Sequence, residues 1–80
     1  ILISSSGSSP NIINGAKKAK AMNLSLVTLT GFNSGNKLRA MGDVNLWVES
    51  TSYNFIENTH QVWLLSIIDY LVSQKKKNQF

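Results

Sequence analysis

Two groups of residues in this chain have types and spacing suited to chemistry. The first is ISSSGSSPN, residues 3 to 11, which holds five serines, a glycine and a proline. Ser4, Ser5, Ser6 and Ser9 offer hydroxyl donors, and Gly7 lets backbone approach a ligand closely. Hydroxyls and backbone N–H groups gathered at the start of a helix suit a phosphate group. The plainer reading is that these serines turn the chain and cap the helix. The second group is Glu57 and His60, three residues apart and so on one side of a helix. A carboxylate and an imidazole at that spacing can serve as base and acid, or as metal ligands. Equally, Glu57 can belong to a helix cap and His60 can pack at an interface.

The serines have a definite address in the order of elements. ILIS, at the start, is a short β-branched apolar run that fits a buried strand. Ser9 followed by Pro10 is a good helix start, with serine at the cap and proline at the first helical position. From Pro10 to Met22 the residues Ile12, Ile13, Ala16 and Ala19 recur at helical spacing, with Lys17, Lys18 and Lys20 mostly opposite. LSLVTLTG then reads as a second strand and VNLWVES as a third. The polar connection between them has room for one helical turn at Lys37 to Met41. A long helix fits from Tyr53 to Gln74, with Asn54 and Glu57 placed like a capping box. Strands alternating with helices predict an α/β fold with a parallel sheet between helical layers. In such sheets ligands bind beyond the carboxyl ends of the strands, where the serine stretch falls. The GxGxxG and GxxxxGK[ST] phosphate fingerprints are absent.

Composition narrows the functional classes. Eighty residues make one small domain, here residues 1–74 followed by a basic tail, 75–80. The formal charge is +4, but its lysines sit in two clusters, residues 17–20 and 75–77. The second cluster complements a helix C-terminus. No nucleic-acid reader motif accompanies the charge, so it reads as solvated surface. There is no cysteine, which removes disulfides, thiolate metal sites and cysteine nucleophiles. No apolar run approaches the roughly 20 residues of a membrane span, and no leader is visible, so the expected location is the cytoplasm. The chain begins inside an apolar run without a methionine, as the later part of a longer protein would.

The stretch ISSSGSSPNIINGAKKAKAMNLSLVTLTGF resembles the SIS (sugar isomerase) domain family. That family's hallmark is a strand ending in Ser-x-Ser-Gly-x-Ser, a helix, and a strand ending in Thr-Gly. Here these are Ser4, Ser6, Gly7, Ser9, Thr30 and Gly31. Within the family the chain is most similar to the phosphoheptose isomerase branch, which continues with GDVNLWV and a helix like YNFIENTHQVWLL. The resemblance implies the C-terminal part of a flavodoxin-like, doubly wound, three-layer sandwich. It implies that Ser4, Ser5, Ser6 and Ser9 hold the phosphate of a phosphosugar, and that the activity is aldose–ketose isomerisation of sedoheptulose 7-phosphate. The alternative is a non-catalytic SIS module that senses phosphosugars or binds a protein partner.

The chain departs from that branch on its last helix. The branch has glutamine where Glu57 stands and a catalytic, metal-binding histidine where Leu65 stands. Its catalytic glutamate and first metal-binding histidine lie N-terminal to the part matched here. No metal site and no cofactor are therefore expected. VWLLSIIDYLV, residues 62 to 72, has nine apolar residues out of eleven. A helix on one face of a sheet needs one apolar stripe. The excess has to be covered by helices of a longer protein, by another subunit, or by both; with the resemblance, the expectation is a homo-oligomer, a tetramer.

Overall fold

A computed structural model describes residues 1–78; Gln79 and Phe80, the end of the expected basic tail, lie outside the described residues. The elements are β1 (Leu2–Ile3), α1 (Pro10–Ala21), β2 (Val27–Thr30), β3 (Val44–Trp47) and α2 (Tyr53–Asn78). The three strands form one parallel sheet in the order β1-β2-β3. Leu2 pairs with Thr28, and Thr28 with Asn45; Ile3 pairs with Leu29, and Leu29 with Leu46. The fold is thus α/β with a parallel sheet, as the alternation of elements predicts.

Side-chain alternation gives the sheet two different faces. Leu2, Thr28 and Asn45 share one, and α1 packs there. Buried Ala16, Leu26 and Leu38 form its core, flanked by Leu2, Ile12, Ile13, Ala19 and Met41. Val27, Val44 and Leu46 lie on the other face. With Trp63, Ser66 and Ile67 of α2 they line a groove of about 440 Å³. The two helices therefore cover opposite faces, giving three layers, and α2 stands partly away from its face. Among the described residues, no helix is long and apolar enough to cross a membrane.

Boundaries differ from the sequence reading where side chains compete with the backbone. Within LSLVTLTG only Val27–Thr30 is strand. The Leu26 N–H donates to the Asp43 carboxylate (2.7 Å), while the Leu26 carbonyl accepts from Asp43 N–H (2.8 Å). Residues 37–41 form turns, closed by Met41 N–H to the Leu38 carbonyl at 2.9 Å, and not a helix. The start of α2 is capped by Ser52, whose hydroxyl accepts from Phe55 N–H at 3.3 Å, and not by Asn54. The same helix continues past Gln74 to Asn78, taking in Lys75, Lys76 and Lys77, cations that suit a helix C-terminus.

Candidate functional site

The serine loop leaves β1 and is fixed at three points. Ser4 N–H donates to the Leu29 carbonyl at 3.0 Å, extending the β1–β2 pairing by one residue. The Ser5 carbonyl accepts from Gly31 N–H at 2.7 Å, and the Gly7 carbonyl accepts from Leu38 N–H at 2.9 Å. The loop therefore sits at the carboxyl edge of the sheet, against the end of β2. Gly7 has φ +65°, a left-handed conformation. A Cβ there would also collide with the Asn36 amide.

Two of the hydroxyls accept hydrogen bonds within the loop. Ser4 Oγ accepts from Gly7 N–H at 3.0 Å. Ser6 Oγ accepts from Ser8 N–H at 3.4 Å and from the Ser8 hydroxyl at 3.2 Å. Each oxygen is used as an acceptor, which leaves its hydrogen for another group. Ser5 supplies its carbonyl to the loop's anchor. Ser9 is the N-cap of α1, in extended conformation, yet its side chain makes no capping bond. The first N–H groups of a helix have no partner within it. Pro10 has none to offer, so those of Asn11 and Ile12 remain open to an acceptor from outside, together with the positive end of the helix dipole. All four predicted serines thus lie in one short loop, around a helix start whose donors are not consumed by the cap.

Asn36 holds this edge together, and the sequence reading passed over it. It is 6% exposed. Its amide nitrogen donates to Thr30 Oγ1 (3.0 Å) and to the carbonyls of Asn33 (3.0 Å) and Gly31 (3.4 Å), and its oxygen accepts from Arg39 N–H (2.8 Å). Arg39 in turn lies over the Trp47 ring, 4.6 Å from its centroid, and donates to the Ser34 carbonyl at 2.7 Å.

Glu57 and His60 are not presented together. His60 is 3% exposed and faces the sheet. Its Nε2 lies 2.9 Å from the Thr30 carbonyl, which makes it the protonated nitrogen, since a carbonyl only accepts. Its Nδ1 is buried without a hydrogen-bond partner. Glu57 is exposed to solvent. Leu65 is exposed as well. Among the described residues no three His, Cys, Asp or Glu side chains gather as metal ligands would.

The residue after Gly31 is unusual. Phe32 has φ +53°, a region that bulky side chains rarely adopt. For a residue with a Cβ this conformation costs roughly 1–2 kcal/mol. Two contacts hold it there. Phe32 N–H donates to the Ser50 carbonyl at 3.0 Å, and its ring meets Tyr53 at 4.7 Å between centroids, tilted by 58°.

The chain as a whole is similar to known proteins. A probable phosphoheptose isomerase of Thermoplasma acidophilum is 33% identical over 73 residues, covering 91% of this chain and 39% of that protein. The phosphoheptose isomerase of Fusobacterium nucleatum is 36% identical over 67 residues, 84% of this chain and 34% of its own length. That of Colwellia psychrerythraea is 32% identical over 73 residues, 89% and 37% respectively. Nearly the whole chain is similar to one part of a phosphoheptose isomerase. It spans little more than a third of the length of these curated relatives. No protein-family model matches the chain, and no solved structure matches it.

Proposed function

We propose that this chain is the phosphate-gripping part of a phosphosugar-binding protein of the SIS type, acting in aldose–ketose isomerisation of sedoheptulose 7-phosphate. The observation that carries the reading is the uncapped start of α1 beside four serines, at the carboxyl edge of a parallel sheet. The names of the relatives supply the substrate class. A charge-assisted hydrogen bond contributes about 1.5–3 kcal/mol. Ser6→Ala is therefore expected to weaken binding of sedoheptulose 7-phosphate about tenfold or more, with the fold retained. Calorimetric titration checks this. Equal affinities for the variant and the wild type would reduce the loop to a turn.

A second reading, a non-catalytic module that senses phosphosugars or binds a protein partner, is favoured by α2. Moving a carbonyl between neighbouring carbons needs one group to take a carbon-bound proton and return it, and another to serve the oxygens. On α2 the one imidazole is buried against a carbonyl, Glu57 points to solvent, and Leu65 has no chemistry. The 80-residue chain by itself is accordingly expected to show no isomerase activity. Added zinc is expected not to restore it, because a catalytic zinc site takes about three protein ligands. Interconversion of heptose phosphates above the uncatalysed rate, with or without zinc, would overturn this. The proposed assembly is a homo-oligomer, a tetramer, built on α2.

A further inference from the structure

The phosphate grip does not account for Phe32. A glycine at this position would adopt the left-handed conformation freely, and asparagine, which stands next to it as Asn33, tolerates it far better than phenylalanine. The core does not call for the ring either. Phe32 is only half-buried, and the ring it meets belongs to Tyr53, which is 59% exposed. The chain thus holds two aromatic rings in contact at its surface, one of them on a strained backbone. Strain of this kind persists where the surroundings over-determine it, and it gathers at ligand sites.

The place of these rings says what they can do. Phe32 follows Gly31, whose N–H is bonded to the Ser5 carbonyl, and its own N–H is bonded to Ser50. It therefore stands one backbone step, about 3.8 Å, from the anchor of the serine loop. It also joins that loop to the one entering α2. The two rings thus belong to the same edge of the sheet as the serine loop. Ligand sites combine aromatic walls with a few well-placed polar groups. The polar groups here are at the serine loop, and the wall is what the phosphate grip lacks. The C–H groups of a sugar carry partial positive charge and meet the negative face of a ring favourably.

We infer that Phe32 and Tyr53 form the wall against which the carbon chain of a phosphosugar lies while the serine loop holds its phosphate. The inference rests on the phosphosugar reading above. It assigns the two rings to the recognition of sugar carbon, not phosphate.

Phe32→Gly tests it, because glycine keeps the backbone conformation and removes only the ring. Affinities for inorganic phosphate and for sedoheptulose 7-phosphate are measured side by side by calorimetry. The expected result is unchanged phosphate binding and about tenfold weaker phosphosugar binding. Phe32→Tyr is expected to keep both affinities. Tyr53→Ala, at an exposed position, gives an independent reading should Phe32→Gly fold poorly, with a loss confined to the phosphosugar. Unchanged phosphosugar affinity in both ring-removing variants would overturn the wall while leaving the phosphate grip in place. Equal losses for both ligands would assign the rings to the loop's structure and would also overturn it. Failure of the wild type to bind either ligand would remove the phosphosugar reading itself, and the wall with it.

Discussion

Gly7→Ala is expected to remove about 3–6 kcal/mol of stability, enough to leave the protein largely unfolded or with its site edge dismantled. Two terms add. A Cβ at φ +65° costs roughly 1–2 kcal/mol. That Cβ also falls on the Asn36 amide, which is buried and bonded to Thr30, Gly31, Asn33 and Arg39. Displacing it leaves buried donors and acceptors unsatisfied, at about 1–3 kcal/mol each. An 80-residue domain has about 4–12 kcal/mol in all. Gly35→Ala is the control, since it adds the same Cβ in an exposed loop with its nearest neighbour at 3.4 Å. Urea unfolding of the two variants reads the difference. A Gly7→Ala unfolding free energy within about 0.5 kcal/mol of the control would show that the edge does not depend on Asn36.

The same residues show what the sequence could and could not disclose. The start of α1 was legible because its signals, Ser9 and Pro10, are local and adjacent. Strand positions were legible from β-branched runs, but their ends were not: a carboxylate seventeen residues away takes the N–H of Leu26. Asn36 looks no different from Asn33 in a polar loop. Its importance comes from Gly7 and Thr30, which only the fold brings near. Phe32 gave no warning, since phenylalanine does not favour the conformation it holds.

Glu57 and His60 illustrate the limit of a face argument. Residues on a helix advance by about 100° each, so Ile56 and His60 point about 40° apart and both reach the sheet. Glu57 lies about 60° beyond His60, outside the contact. Being three apart was sound geometry; which part of that broad side meets the sheet was not readable from one sequence.

The other large effect is expected on α2. Ile56 and His60 are its buried residues among those described, and every residue from 65 to 73 is exposed. Within that stretch Leu65 is 52%, Ile68 53% and Val72 47% exposed. At about 100° per residue these three, with Val62, form a stripe on the side away from the sheet. Ile67, Tyr70 and Leu71 lie toward the sheet side, yet they too are exposed, because the four-residue strands do not reach along a helix of 26 residues. One partner helix cannot cover two nearly opposite sides, so in the proposed homo-oligomer more than one neighbour would share the covering. Burying each such side chain contributes about 1.5–3 kcal/mol, so the stripe alone is comparable with the whole stability of a domain this size. Ile68→Glu and Leu65→Glu are therefore expected to dissociate the assembly or drive the protein into aggregates, while Ser73→Glu, on the same helix, is expected to leave it intact. Light scattering at micromolar concentration distinguishes these outcomes. A folded, monodisperse wild-type monomer at that concentration would mean that α2 needs no second copy of this chain to cover it.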